Sequence, residues 1–528
     1  MKIPMILHGL TISAVLFSAG CSTPEAGQSQ PSNQENTSAP APATGEGSTS
    51  HAIPAYQPKD QKPLQPATYL ADVEIKPSEM RVDGSLTARF APQDDKAYFH
   101  FYPNEFRADK KKSHETPEWE WIFGSGDGHT EEVAVKKVTV AGKPVPFTLQ
   151  DTILAVPLPD PNAKEAEVRI EFGMTLPMNE GRMSGDADML WLGNWLPILA
   201  VKDETGWNLD PYLPIGDPFY SETANYEVKA RIPHDYQIAS SGDDARAEKK
   251  ELPATKQLEY TIKAPNMRDF AMIVMNDTFE PVTTPVGNTI VRTWVKRSDD
   301  RETLKKVHDT AVRSFEYFSK AYGTYPYREY DVVKTGMNAG GMEYPGVVYF
   351  DSTLFDSFQP FTVESIAHET AHQWFYGLIG NDEVDEPWVD ESLTTYVTMS
   401  FLDSYEGGAY RARNESRLTS GKNPQRKWNI WSESLSDFPD MTTYGQNVYS
   451  RGATMLWELR TAWGEEKVNR VLKAYFDRHK YRIATGVEVV QAFTEATGAD
   501  SRAFFEYWLL HDTSKQAEAQ RWVDLGKQ

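Results

Sequence analysis

The chain has 528 residues, 40% hydrophobic and 12% aromatic, which suits a globular protein of roughly two to four domains. Its formal net charge of −22 excludes the basic face of a nucleic-acid binder and otherwise describes a solvated acidic surface. The single cysteine, Cys21, rules out an intrachain disulfide and any cysteine-based metal cluster.

The N-terminus opens "MKIPMILHGLTISAVLFSAGC". Lys2 precedes an apolar run that His8 and Gly9 interrupt, too short for a membrane span and suited to a secretory signal over residues 1–20. The ending "SAGC" resembles the lipobox of bacterial lipoproteins, with Ser18 where that box usually has Leu. The resemblance implies that Cys21 becomes the lipidated first residue; plain secretion with cleavage nearby is the alternative. Residues 21–65 are rich in Ser, Pro, Ala, Gly, Gln and Asn, a composition that cannot bury a core and is expected to form a flexible tether. The N-terminus therefore predicts an extracytoplasmic protein held by lipid on a bacterial membrane, at the cell surface or the periplasmic face.

Residues 66–285 alternate apolar and polar residues in segments such as "ADVEIKP", "AEVRIEFGMTL" and "NYEVKARIP", separated by turn signals. This predicts a large, mainly antiparallel β domain, packed in part by Trp119–Trp121 and Trp191–Trp195. Over residues 286–528 the period changes. "RETLKKVHDTAVRSFEYFSKAYG" has helical spacing, and "TGVEVVQAFTEATG" starts with a capping box, Thr485 to Glu488, and stops at Gly498. An α-rich second domain is expected, with the boundary near residue 285.

The second domain contains "HETAHQWFYGLIGNDEVDEPWVDES", beginning at His368. His368 and His372 stand at i and i+4, so both imidazoles leave one helix face and can share a metal. Glu369 lies about 100° around the helix, off the ligand line but within reach of a water at the metal. A catalytic zinc usually takes three protein ligands and leaves a fourth position open. Glu391, 18 residues beyond His372 and one turn into a helix that Pro387 can start, is the expected third ligand. One Zn2+ per chain, bound by His368, His372 and Glu391, with Glu369 as the general base, is the chemistry of carbonyl hydrolysis. The other histidines show no second ligand spacing.

HExxH followed by 18 residues and Glu resembles the gluzincin aminopeptidases of peptidase family M1, the membrane alanyl aminopeptidase family. "HQWFYG" is similar to the family's HQWFGN, "EPWVDES" to its WLNEG segment, "NVYSRGATML" to its Tyr-x-(Lys/Arg)-Gly segment, and "GGMEYPG" to its GxMEN motif. "NWLPILAVKDETGWNLDPYLPIGDPFYSE" is similar to part of the family's β domain, so the likeness covers roughly residues 69–508. The resemblance implies a saddle-like N-terminal β domain followed by a thermolysin-like catalytic zinc domain. It makes Tyr449 the catalytic tyrosine and Glu343 the residue that holds the substrate's free α-amine. A phenol at Tyr449 suits oxyanion stabilisation, and a carboxylate at Glu343 suits a cationic N-terminus. Gly340, Gly341 and Met342 complete the substrate-binding strand, the glycines admitting close approach of a peptide backbone.

Two features depart from the family pattern. Tyr344 replaces the Asn of GxMEN, and no residue of the β domain can be assigned to a second grip on the amine. From Glu391 to Gln528 there are too few residues for the large C-terminal helical domain that many members carry. The expectation is a zinc-dependent aminopeptidase acting on peptides with a free N-terminus, with no nucleic-acid partner and no obligate protein partner. A thermolysin-like endopeptidase and a non-catalytic peptide-binding lipoprotein are the alternatives.

Overall fold

The computed structural model describes residues 52–58, 65–123, 128–130, 132–338 and 340–527. The expected signal and Cys21 lie outside them, as does most of the expected tether. In the strand Thr68–Lys76, alternate residues Tyr69, Ala71, Val73 and Ile75 are all buried, as a period of two demands when one face of a sheet meets a core. The strand sits inside an eight-stranded sheet, between Arg81–Phe90 (antiparallel) and Ala224–Pro233 (parallel), and the other pairings of that sheet are antiparallel. Two four-stranded sheets complete the β domain. Trp191 and Trp195 are buried there, donating to the carbonyls of Gly181 (2.8 Å) and Phe270 (2.9 Å).

The second domain is built on a five-stranded sheet with the order Phe279–Val286, Thr289–Lys296, Glu329–Thr335, Val347–Asp351, Gly341–Met342. Its first two strands form a hairpin across Gly287 (φ +60°), so residues 279–286, which run up to the expected boundary near 285, pair into this sheet. A period of two reports a strand but not which sheet the strand joins. Helix Arg301–Ala321, whose N-cap Asp300 accepts from the Thr303 amide (2.8 Å), packs on helix Pro360–Ala371. Further helices follow to Gly526. No helix among the described residues is long and apolar enough to cross a membrane.

Part of the stretch expected as tether packs on the helical core. Ile53 is fully buried in the helical core, its amide donating to Glu506 Oε1 (3.1 Å) and its carbonyl accepting from Arg502 (3.5 Å). A single apolar anchor in a polar stretch is enough to dock it, and composition averages over such a residue.

Two buried arginines join the domains. Arg268 of the β domain donates to three carbonyls, those of Ser221 (2.6 Å), Tyr376 (2.8 Å) and Arg482 (3.0 Å). Arg292 of the catalytic sheet is held among Asp244 of the β domain (2.9 Å), Glu329 (3.0 Å) and Asp331. Three buried carboxylates share one guanidinium there, so burial, then mutual repulsion, raises them: Asp244 to about 6 and Glu329 to about 9. A carboxyl raised in the folded state favours folding while it can hold its proton. That contribution is complete below pH about 4 and is lost as pH rises through about 6 and then 9. The melting temperature should therefore fall between pH 6 and 9, by about 3 °C per pH unit for one proton. Glu329→Gln should flatten that fall; equal slopes for the variant and the parent in thermal melts at constant ionic strength would refute the assignment.

Candidate metal centre

Helix Pro360–Ala371 begins with Pro360 in its first turn and a capping box between Gln359 and Thr362. Its last turn carries His368, and His372 is the residue that caps it. His372 Nδ1 lies 3.0 Å from the Phe375 carbonyl and 3.2 Å from Thr394 Oγ1, which orients Nε2 towards His368. Glu391 sits in the first turn of helix Trp388–Glu406, which packs against the histidine helix.

The three expected ligands converge. His368 Nε2 is 3.1 Å from His372 Nε2 and 3.2 Å from Glu391 Oε2, and His372 Nε2 is 3.5 Å from the same oxygen. Donors about 2.1 Å from a tetrahedral zinc lie about 3.4 Å apart, so the spacing and the His2Glu chemistry both fit Zn2+. All three side chains are buried. A second acidic trio, Asp244, Glu329 and Asp331, also converges, but the Arg292 guanidinium already binds all three, so it is an ion-pair cluster.

Glu369 lies directly over the backbone of Gly341. A Cβ on Gly341 would come within 2.4 Å of Glu369 Cγ and 2.5 Å of its carboxylate, so only glycine admits this approach. Burial, then the charge of Glu343, pushes the Glu369 carboxyl well above the ordinary range. Tyr449 lies in a π-helical turn, Gly445–Arg451, and its hydroxyl donates to Glu391 Oε1 (2.6 Å). Ser392 and Arg451 tie that turn down by donating to the Val448 carbonyl (2.6 Å) and the Trp508 carbonyl (2.7 Å).

Gly341–Met342 forms the edge strand of the five-stranded sheet, antiparallel to Val347–Asp351. Gly340 precedes it at φ +79°. Gln373, next to His372, accepts from the Gly346 amide (2.8 Å) and donates to the carbonyls of Tyr344 (3.3 Å) and Glu343 (3.4 Å), locking this strand and turn to the histidine helix. Glu343 is buried, and its Oε1 has no hydrogen-bond partner. Its carboxyl is pushed up to about 8, by burial first and then by Asp217. The Met342 side chain instead enters the β-domain core, with Sδ 3.2 Å from Arg182 Nε, so this residue meets a ligand through its backbone.

Tyr344 also turns away from the donors. Its hydroxyl donates to Asn194 Oδ1 (2.5 Å), and Asn194 donates to Asp269 (2.9 Å). A Cβ on Gly193 would meet the Tyr344 hydroxyl at 2.0 Å, so the glycine and the tyrosine are packed as a pair. Sequence reasoning missed Arg182, Asp217, Glu383 and Asp390. Arg182 and Asp217 form a buried ion pair in the β domain beside Met342 and Glu343. The run "GNDEVDEPWVDE" offered a signal for the other two, since four of its six acidic residues are exposed or used as ligand or loop cap, leaving Glu383 and Asp390 buried without a full set of donors.

The fold and donor set define the class first: a β-rich domain followed by a helical domain that carries an HExxH-type His2Glu metal centre. In comparison with known families, residues 307–508 match the Peptidase family M1 domain. Aminopeptidase N of Lactobacillus delbrueckii subsp. lactis is 22% identical over 407 residues, 72% of this chain and 46% of that protein. Leucine aminopeptidase 2-1 of Meyerozyma guilliermondii is 27% identical over 169 residues, 30% of this chain and 27% of that protein. The chain thus spans about half or less of these relatives. An M1 zinc metallopeptidase from Deinococcus radiodurans shares the fold, with a TM-score of 0.61 at 16% identity over 84% of this chain and 93% of that one.

Metal analysis after zinc loading and dialysis should find about one zinc per chain. His372→Ala and Glu391→Ala should lose it, whereas Tyr449→Phe should keep the stoichiometry and bind about tenfold more weakly. Full zinc content in Glu391→Ala would remove Glu391 from the ligand set.

Proposed function

We propose that this protein is a zinc-dependent aminopeptidase that hydrolyses N-terminal residues from peptides. The observation that carries the reading is the buried Glu343 carboxylate, with an unpartnered oxygen, directly after the sheet-edge strand that Glu369 packs on and beside the donors. Zinc held by His368, His372 and Glu391 supplies Lewis acidity towards the scissile carbonyl and makes water nucleophilic near neutral pH.

The chain's own groups do the rest. A peptide laid along Gly341–Met342 pairs its backbone with the free strand edge, and its ammonium group meets Glu343. Glu369 takes a proton from the attacking water and returns it to the amine that leaves as the C–N bond breaks. Tyr449 turns its hydroxyl from Glu391 to the developing oxyanion. Because Glu343 fixes the first residue, one residue leaves per cycle.

The names of the relatives, aminopeptidase N among them, agree with this reading. So does a two-domain neighbour from Deinococcus radiodurans described with a Tyr-Ser-Ala substrate. The N-terminal sequence supports lipid attachment at Cys21 outside the cytoplasm, which metabolic labelling with a palmitate analogue in the parent and Cys21→Ser would test.

A short leucine-headed peptide, supplied free and N-acetylated, separates the readings by mass spectrometry. Stepwise loss of single residues from the free form alone is expected; internal cleavage of both forms would make the protein an endopeptidase. Glu369→Gln should keep its zinc and lose about 10³-fold in kcat. Gly341→Ala should lower kcat/KM by about 10²-fold, because the new methyl displaces the Glu369 carboxylate. Unchanged turnover in Gly341→Ala would mean that Glu369 works from another position.

A further inference from the structure

Behind the amine site lies a run of buried carboxylates that the chemistry above does not use. Asp390, 2% exposed, has one oxygen satisfied by Asn381 (2.8 Å), while the other, Oδ2, faces His372 Nδ1 at 4.0 Å and has no hydrogen bond. Glu383, also 2% exposed, has no partner for either oxygen. One carboxylate oxygen of Asp390 and one of Glu343 lie within 4.8 Å of each other and of ligand atoms of His372 and Glu391. The charges acting on Glu383 are led by Asp390, followed by Glu343 and Asp217. Glu343 and Asp390 therefore adjoin the metal donors, with Glu383 close enough to feel both charges, an acidic path beside the site.

The path is bounded by phenol rings. Tyr376, 6.4 Å from the His372 ring, has Glu383 as its foremost charged neighbour. Tyr444, 5.5 Å from the Tyr449 ring, feels Glu391, Asp217, Asp390 and Glu383 in that order. Neither neighbouring arginine serves the orphaned oxygens. Arg182 donates to Asp217, Gly216 and Tyr212, and Arg268 donates to three carbonyls. Buried carboxylate oxygens are ordinarily met by donors, so a fully buried carboxylate without one marks where a ligand supplies them.

Resting on the aminopeptidase reading, we propose that Glu383 and Asp390 receive the side chain of the substrate's first residue, which makes peptides headed by arginine or lysine the preferred substrates. Such a residue carries two cationic groups joined by an apolar stem. Its ammonium group takes the Glu343 oxygen, its stem lies against Tyr376 and Tyr444, and its terminal N–H groups reach the orphaned oxygens of Asp390 and Glu383. A guanidinium offers five donors and an ammonium three, whereas an aliphatic side chain leaves every one of those oxygens unpaired. Discrimination between a side chain that completes buried hydrogen bonds and one that cannot is large.

The test compares kcat/KM for arginine-, lysine-, norleucine- and leucine-headed peptides with one common tail, using the zinc-loaded full chain. The expected arginine-to-norleucine ratio is at least about tenfold, falling towards one in Glu383→Gln. Taking the ratio within one preparation cancels partial misfolding. Calorimetry with Glu369→Gln gives a readout without turnover: free arginine should bind at least about tenfold more tightly than norleucine, and the gap should close in the Glu369→Gln/Glu383→Gln pair. Equal or better turnover of norleucine, or a basic preference that survives Glu383→Gln, would overturn the pocket and leave the aminopeptidase reading standing. Two metal ions per chain, the second lost in Glu383→Gln, would also overturn it, since the oxygens would then hold a divalent cation. Cleavage of N-acetylated peptides would overturn both.

Discussion

The packing of the two domains is governed by how buried negative charge is met. Carboxylates from both halves gather at the seam, and each must find a cation, a metal or a donor once water is excluded. At one end Arg292 neutralises Asp244, Glu329 and Asp331, so a β-domain loop and two catalytic strands are held by one guanidinium. Nearer the histidine helix Arg182 pairs with Asp217, and Arg268 binds carbonyls from both domains. The carboxylates left over are those around the metal donors. The stability of the seam and the chemistry of the site are thus two outcomes of the same electrostatic constraint.

What could be read in the sequence is what a helix period transmits. His368, Glu369 and His372 are placed by one helical repeat, and Glu391 by the start of the next helix, so their convergence follows from two helices and a short link. Tyr449 was legible only through likeness to a motif. Its π-helical turn changes the register of the helix, and no spacing rule locates a phenol there. Asp217 carries no local mark, and the acidic run around Glu383 does not say which of its carboxylates are buried. Asp217 meets Glu343 through the contact of two domains, which a one-dimensional pattern does not contain. The pairing of residues 279–286 into the second sheet and the docked Ile53 have the same origin, since strand periodicity and mean composition say nothing about which surface a segment meets.

The substitution of Tyr344 shows how a departure from a motif can be absorbed by structure. The larger side chain turns into the β domain and reaches Asn194, in space that Gly193 leaves open. The position thereby ties the segment after strand Gly341–Met342 to the β domain through the chain Tyr344–Asn194–Asp269.

That tie gives the site its rigidity from two directions. Gln373 binds the strand and its turn to the histidine helix, while Tyr344 and Met342 bind it to the β domain. Glu369 leans on Gly341 of the same strand, so Glu369, the histidine helix and that strand share one set of contacts. Tyr449 stands apart from that set, its turn anchored by Ser392 and Arg451. Its hydroxyl reaches the donor cluster through Glu391, which is carried by a different helix from the histidines.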